Sequence, residues 1–137
     1  MKKTTIRCPY CGGTAILKDA SFIYGNKSGG GRKVYACSNY PACDSYVGVH
    51  DGTIIPKGTL ANKELRKKRI QAHQMFDQIW KRGILSKPDA YLWVADKFGL
   101  SPSQAHIGHF SNYMCDQLIR ESAKVLANNH VPLQAAM

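Results

Sequence analysis

The chain has few acidic residues and no long apolar segment. Nine aspartates and glutamates stand against 19 lysines and arginines, which gives a formal net charge of +10 at pH 7 with histidine neutral. No stretch is long and apolar enough to cross a bilayer, and the basic residues at the start do not lead into the apolar core of a signal peptide. We therefore expect a cytoplasmic protein with no membrane partner, whose binding partner carries negative charge.

The sequence also lacks common motifs of enzyme active sites. There is no glycine-rich phosphate loop, no nucleophile elbow and no close carboxylate pair in a distinctive setting. One alternative stays open, because His73, Asp77, His106 and His109 could assemble a second metal site or a hydrolytic centre. Structural histidines that satisfy their hydrogen bonds between helices are the commoner outcome. We predict that the chain is not an enzyme and takes no small-molecule substrate.

Two short-spaced cysteine pairs are the most informative feature that is present. Two residues separate Cys8 from Cys11, and five separate Cys37 from Cys43. Such pairs joined by a longer loop are typical of a tetrahedral thiolate zinc site, although two disulfides or unrelated buried thiols are alternatives. A reducing cytoplasm favours the metal over disulfides. We predict one structural Zn²⁺ per chain, bound by these four residues, and a buried free thiol at Cys115.

Short β-like segments surround these cysteines. Strands are predicted at residues 15–17, 22–24, 32–36 and 45–49, and residues 26–31 can form only a turn or loop. Asp51 and Gly52 are a strong hairpin signal, after which residues 53–55 would pair back. So small a sheet cannot fold alone, and metal binding would contribute on the order of 10 kcal/mol. The prediction is a four-cysteine zinc ribbon over residues 1–57.

The following segment, residues 58–127, predicts three or four helices, with a tail over residues 128–137. Asn62 is placed to cap the first helix, which is expected to end near Arg82. One face of this helix is apolar, with Leu65, Ala72, Phe76, Ile79 and Gly83. The other face opens on a dense group of cations, which is either a solvated face or a surface for phosphates: Lys63, Arg66, Lys67, Lys68 and Arg69.

Two further helices are indicated by their caps. Ser86 starts one that Gly99 ends, and Ser101 opens another with a capping box. This last helix either runs through or breaks near Gly108 and restarts with Ser111 as its cap. The predicted fold class is α+β, a small zinc-ribbon β-sheet followed by a three- or four-helix unit packed against it.

Residues 91–110 have the outline of a helix-turn-helix. Any short helical hairpin gives this signal, and Lys97 is the only cation between residues 89 and 120 that could contact a phosphate. A duplex-reading role is therefore disfavoured.

Aromatic residues and cations are interspersed in the ribbon segment. Phe22, Tyr24, Tyr35, Tyr40 and Tyr46 lie among lysines and arginines, a composition that suits the bases and phosphates of single strands. The alternative is that these rings form the small core of the ribbon. We predict one basic surface for nucleic acid, which combines ribbon residues with residues of the first helix: Lys27, Arg32, Lys33, Tyr40, Lys67 and Lys68.

The cysteine motifs resemble those of a known family of zinc ribbons. The run 37–43 with its internal Tyr40-Pro41, placed after the run 8–13, looks like the four-cysteine ribbons at the C-terminal end of bacterial type I topoisomerases. In that family these ribbons bind single-stranded DNA. The loop between the pairs is longer here, and no topoisomerase catalytic domain fits in the remaining length. The resemblance implies a binding module and not the topoisomerase reaction.

Over residues 8 to 118 the chain resembles a family of zinc-finger-containing proteins of bacteria and phages. The resemblance rests on Tyr46-Val47-Gly48-Val49-His50, Gly58-Thr59-Leu60-Ala61-Asn62, Ala72-His73, Phe76-Asp77, Trp80, Ala90-Tyr91, Trp93, Ala95, His106-Ile107-Gly108 and Phe110. Many relatives carry a cysteine where Ala105 stands, so position 105 is not an indispensable ligand. We predict a zinc-ribbon accessory protein that binds single-stranded or flexible DNA or RNA without strong sequence specificity. The alternative is a protein-interaction module of phage or mobile-element origin that binds a host factor.

Overall fold

The architecture is that of a computed structural model, which describes residues 6–25 and 32–130. The elements are β1 (Ala15–Asp19), α1 (Ser21–Tyr24), β2 (Lys33–Cys37), β3 (Tyr46–Gly48), α2 (Lys63–Lys81), α3 (Lys87–Phe98) and α4 (Asn112–Asn128), with two 3₁₀ helices at Pro102–Gln104 and Ile107–His109. The chain divides into two compact units between Glu64 and Leu65. The predicted α+β class is confirmed.

The sheet of the first unit is antiparallel in the order β1-β2-β3. Ala15 pairs with Cys37 and Leu17 with Tyr35, so these four side chains lie on one face. That face carries the core of the ribbon, whose buried members are Cys8, Tyr35, Cys37, Val49 and Leu60. Two of the metal-ligand candidates are therefore part of the apolar core.

The opposite face of the sheet has a different character. By strand alternation it carries Ile16, Lys18, Val34, Ala36 and Tyr46. The two central residues, Val34 and Ala36, are buried, whereas Ile16 is 44% exposed. This second face is therefore also covered over the middle strand.

The strand predicted at residues 22–24 is wrong, because these residues form the single helical turn α1. The carbonyl of Ala20 accepts hydrogen bonds from the amides of Ile23 and Tyr24. Gly25 then ends the turn at a positive φ of 78°. The β1–β2 ladder stops at the pair Asp19–Lys33, so the next residues have no partner strand there in spite of their β propensity.

Residues 53–55, which were expected to return as a strand, form a bend and irregular chain after the turn at residues 51–52. The amide of His50 donates to the carbonyl of Ile55 at 2.9 Å, and Thr53 Oγ1 donates to the carbonyl of His50 at 2.8 Å. Pairing then reduces to one bridge between Val49 and Pro56. The proline has no N–H with which to extend the ladder.

The second unit contains most of α2 together with α3 and α4. The predicted apolar face of α2 is confirmed at Leu65, Ala72, Phe76 and Ile79, all buried, whereas Gly83 is exposed beyond the helix end. The α3 caps are confirmed as well: Ser86 Oγ accepts the amide of Asp89 at 3.2 Å, and Gly99 has a positive φ of 65°. No helix in the described ranges is long and apolar enough to cross a membrane.

The segment after α3 is broken rather than continuous. The side chain of Gln104 accepts the Ser101 amide at 3.0 Å, as the capping box predicts, but only a 3₁₀ turn follows. A second 3₁₀ turn buries Ile107 and Phe110, since residues three apart lie on one side of such a helix. α4 starts afresh at Ser111. The break left open by the sequence is therefore the observed outcome, and the helix-turn-helix outline is wrong.

Candidate functional site

Four cysteine sulphurs converge beside the ribbon core. The Sγ atoms of Cys8, Cys11, Cys37 and Cys43 all lie within 4.8 Å of one another. The Cys8–Cys43 distance is 3.5 Å and the Cys11–Cys37 distance is 3.4 Å. A tetrahedron with zinc–sulphur bonds of about 2.3 Å has edges of about 3.8 Å. The donor set and its spacing fit one structural Zn²⁺ per chain.

Backbone hydrogen bonds curl each cysteine pair around this point. In the first pair, the Cys8 amide donates to the Gly13 carbonyl at 2.7 Å, and the Gly12 amide donates to the Cys8 carbonyl at 3.0 Å. In the second, the Tyr40 amide donates to the carbonyl of Cys37 at 2.9 Å. These turns hold the ligands in place through the backbone as well as through the metal.

The two glycines after Cys11 are needed for different reasons. Gly12 has a positive φ of 76°, which L side chains rarely adopt. At Gly13 the reason is space, because a Cβ there would lie 3.0 Å from Asn39 Nδ2 and 3.3 Å from Cys11 Sγ. The first knuckle is therefore packed directly against the loop of the second.

Two polar residues that the sequence did not reveal contact the ligand sulphurs. Ser45 is fully buried, and its Oγ lies 3.0 Å from Cys8 Sγ. Asn39 donates its side-chain amide to Cys11 Sγ and its backbone amide to Cys37 Sγ, each at 3.4 Å. Such donors orient metal ligands and tune their basicity. In the sequence, only their positions could have pointed to these two residues. Asn39 lies within the second cysteine loop, and Ser45 lies two residues after it.

These contacts, together with burial, shift the pKa values of Cys8, Cys11 and Cys37 in different directions. The Asn39 side chain, helped by the Gly13 amide, lowers the pKa of Cys11 to about 6. Burial raises the pKa of Cys8, but hydrogen bonds from Ser45 and from backbone amides outweigh it and leave the pKa below the usual value. Burial raises the pKa of Cys37 to about 12. Cys8 and Cys11 thus ionise more readily than Cys37, from which zinc must displace the proton.

An aromatic cluster, consisting of Phe22, Tyr24, Tyr40 and Tyr46, lies on the sheet face of Tyr46. Its ring centroids are 5.4 Å apart for Phe22–Tyr40, 6.4 Å for Tyr40–Tyr46 and 5.9 Å for Tyr46–Tyr24. Lys18 Nζ lies 5.3 Å from the centroid of Phe22. Phe22 is 46% exposed and Tyr24 57%, whereas the two inner rings are half-buried. The four rings form one continuous and partly solvent-exposed surface.

The fifth predicted aromatic, Tyr35, is not part of this cluster. It is buried on the core face of the sheet, and its hydroxyl donates to the carbonyl of Ile54 at 2.7 Å. The alternative that the rings form the core of the ribbon therefore holds for Tyr35.

The predicted nucleic-acid residues of the ribbon do not all lie together. Lys27 falls within residues 26–31, outside the described residues. Arg32 is exposed. Lys33 shares its sheet face with Tyr35 and pairs with Asp19 at 2.6 Å, whereas Tyr40 contacts the opposite face through Tyr46. Lys18, which was not in the predicted set, lies beside the aromatic cluster.

On α2 the predicted cationic face is partly structural. Lys67 is exposed, but Lys68 Nζ lies 2.7 Å from both carboxylate oxygens of Asp116. Arg69 is only 9% exposed, and its Nε donates to the carbonyl of Phe110 at 3.1 Å. Arg69 therefore packs within the helical unit and does not belong to a solvated or phosphate-contacting face.

The alternative metal site at His73, Asp77, His106 and His109 does not assemble among the described residues. His73 Nδ1 lies 3.8 Å from Asp77 Oδ1, and His106 packs near the ring of Tyr91. Burial, followed by the charge of His106, lowers the pKa of His109. Within residues 6–25 and 32–130, three or more potential ligand atoms converge only at the four cysteines.

The remaining cysteine behaves as the sequence predicts. Cys115 is fully buried and free. Burial raises the pKa of its thiol to about 11, so the group is protonated at neutral pH.

Comparison with known proteins identifies a family. The model of a family described as a zinc-finger-containing domain matches residues 4–125, which is most of the chain. No curated protein and no solved structure matches the chain. The likeness of the cysteine motifs to topoisomerase ribbons is therefore carried by the motifs alone.

Proposed function

The chain belongs to this family of zinc-finger-containing domains, and we propose that it is a non-enzymatic accessory protein whose zinc ribbon binds single-stranded nucleic acid. The observation that carries the proposal is the aromatic cluster, with two outer rings about half exposed and a lysine beside them. Aromatic rings next to cations are how proteins bind unpaired bases and their phosphates without reading sequence.

The arrangement of the rings supports stacking on bases. Neighbouring rings are inclined to each other by 51° to 90°, so they do not cover each other face to face. The half-buried Tyr40 and Tyr46 support the outer rings of Phe22 and Tyr24 from the sheet side. Each exposed ring can therefore offer a face to a base, which is worth roughly 1–3 kcal/mol by alanine substitution.

Charge supports the same partner. Four thiolates contribute −4 and one zinc ion +2, so the formal +10 of the chain falls only to about +8. Lys18 forms no ion pair within the described part of the chain, and its Nζ already lies over the Phe22 ring. A phosphate that follows a stacked base would find this ammonium group uncompensated.

A single strand is favoured over a duplex. Base faces are covered in a duplex and become available only when bases are unstacked. The segment that resembled a helix-turn-helix also contains two 3₁₀ turns in place of a second α-helix. Four free cysteines reserved for zinc would suit the reducing cytoplasm that we propose as its compartment.

Fluorescence anisotropy of a labelled dT15 oligonucleotide with the zinc-loaded chain tests the proposal. We expect binding at low salt that weakens steeply as salt rises. Replacing both outer rings, Phe22→Leu with Tyr24→Leu, should weaken binding at least tenfold while leaving the salt slope nearly unchanged, because leucine keeps apolar volume but cannot stack. Tyr113→Leu is the control, since Tyr113 is 71% exposed on α4 and outside the cluster. No binding at low salt, or equal loss in the control, would overturn the proposal.

A second candidate function is protein interaction. Ile54 and Ile55 are adjacent in the turn after β3 and are 50% and 59% exposed, an apolar pair of the kind that contacts protein partners. In this alternative the chain is a module of phage or mobile-element origin that binds a host factor. Absence of oligonucleotide binding, together with a co-purifying protein that is lost on Ile54→Ser with Ile55→Ser, would favour protein interaction.

A further inference from the structure

Two lysines from consecutive helices lie over one tryptophan ring in the second unit. Lys81 Nζ is 5.6 Å and Lys87 Nζ is 4.8 Å from the centroid of Trp80. Lys81 is the last residue of α2 and Lys87 the first of α3. The short connection between the helices therefore brings two ammonium groups to the same ring.

The tryptophan is itself held in place. Its Nε1 donates to Asp77 Oδ1 at 3.1 Å, and Asp77 also lies 3.8 Å from His73 Nδ1. The Asp77 carboxylate thus lies at the edge of the indole, where the N–H is, and the lysines lie over the ring. An ammonium group held by a ring keeps its N–H donors for another acceptor.

Cations outnumber acids around this ring. Residues 77–89 contain Lys81, Arg82 and Lys87 against two acids, Asp77 and Asp89, and the Asp77 carboxylate accepts the indole N–H. Neither Lys81 nor Lys87 forms an ion pair within the described residues. By contrast, Lys97 and Lys124 share Glu121, and Lys68 is paired with Asp116. Two ammonium groups gathered over one ring without an ion-pair partner are suited to an anionic ligand.

We propose that Trp80, Lys81 and Lys87 form a second nucleic-acid site, named the tryptophan elbow, which takes the phosphates of a single strand on the lysines and a base on the indole. The inference rests on the proposed function, since it assigns an additional contact for the same ligand. An indole face suits a base as well as a cation, so a base would take the place of a lysine over the ring while the phosphate backbone engages both ammonium groups. An acidic protein segment would use the lysines but leave the indole without a stacking partner.

The test uses the zinc-loaded full chain and dT20. Nuclear magnetic resonance of ¹⁵N-labelled protein resolves two indole N–H signals, and Trp80→Phe identifies the one from Trp80. We expect the Trp80 signal to move on titration while the Trp93 signal moves less. Lys81→Gln with Lys87→Gln should reduce the salt slope of binding by about 1.4, or about 0.7 for each lost contact with a single strand. Lys97→Gln with Lys124→Gln removes the same charge and should reduce the slope less.

The ribbon variant Phe22→Leu with Tyr24→Leu separates this inference from the proposed function. In that background, movement of the Trp80 signal at higher oligonucleotide concentration supports the elbow even if binding to the ribbon is lost. A Trp80 signal that stays fixed while anisotropy shows the wild-type chain saturated would overturn the elbow and leave the ribbon proposal standing. Equal slopes for the two lysine pairs would also overturn it.

Discussion

Ser45 Oγ lies 3.0 Å from Cys8 Sγ in the core of the ribbon, and the same oxygen is 3.6 Å from Cys43 Sγ. One hydroxyl therefore contacts a ligand from each cysteine pair. Because Ser45 is fully buried, water cannot replace this contact when it is removed. The serine couples the ligands to the strand that follows them.

Ser45→Ala should weaken zinc binding by about tenfold, the lower end of the loss expected when a partner of a metal ligand is removed. Competition with a chromophoric chelator measures this loss. Ser38→Ala is the matched control, because Ser38 is exposed and lies in the second cysteine loop without a sulphur contact. Equal zinc affinities for the Ser45→Ala variant and the wild type would contradict the role given to the hydroxyl.

Gly13→Ala should loosen the zinc site although it changes no ligand. The new methyl group would lie 3.0 Å from Asn39 Nδ2 and 3.3 Å from Cys11 Sγ, so it would crowd both partners of the hydrogen bond between them. We expect a several-fold faster transfer of zinc to a chelator. Gly48→Ala provides the comparison, since a Cβ at Gly48 meets nothing within 4 Å. If both variants release zinc at the wild-type rate, the close approach at Gly13 has no energetic consequence.

Tyr40→Ala and Tyr24→Ala should have different effects. Tyr40 contacts both Phe22 and Tyr46, so its loss should lower the melting temperature and weaken oligonucleotide binding together. Tyr24 is an outer ring, so its loss should cost roughly 1–3 kcal/mol of binding with little change in melting temperature. Both quantities should be measured on the same samples. A Tyr40→Ala variant that melts early but binds with full affinity in its folded fraction would assign Tyr40 to packing alone.

Cys115 should resist alkylation at pH 7.5 in the folded chain. Its pKa of about 11 leaves almost no reactive thiolate, and the side chain is buried. In the unfolded chain the thiol ionises near pH 8.5. The stability due to the neutral buried thiol is therefore present below that pH and is lost as the pH rises toward 11. Mass mapping after iodoacetamide treatment tests this, and rapid labelling of native Cys115 at pH 7.5 would contradict it.

Local features of the sequence were enough to predict the metal ligands and most elements. The cysteine spacings identify the ligands because each pair forms its own backbone turn, and the caps at Ser86 and Gly99 act within one helical turn. Prediction failed where local propensity needed a distant partner. Residues 22–24 and 53–55 have β-forming side chains, but the ladders end at the pair Asp19–Lys33 and at Pro56.

Contacts that form only when distant segments of the chain pack together could not be predicted from the sequence. The capping box at Ser101 is real, yet burial of Ile107 and Phe110 in 3₁₀ turns ends the expected helix. The contacts of Ser45 with ligand sulphurs exist only after the second cysteine loop closes on the first. Lys68 likewise pairs with Asp116, which lies 48 positions away in the sequence. The number of lysines and arginines on α2 therefore overestimates the number available to bind a phosphate.

The measurement that tests the central claim most directly is a titration of the ¹⁵N-labelled, zinc-loaded chain with dT15, followed through backbone amide signals. The account predicts that the largest shifts in the ribbon fall at residues 18–24, 40 and 46, around the aromatic cluster, and that they disappear when zinc is removed. The account would be contradicted if the ribbon shifts were confined to other residues. It would also be contradicted if no ribbon signal shifted at an oligonucleotide concentration that saturates binding.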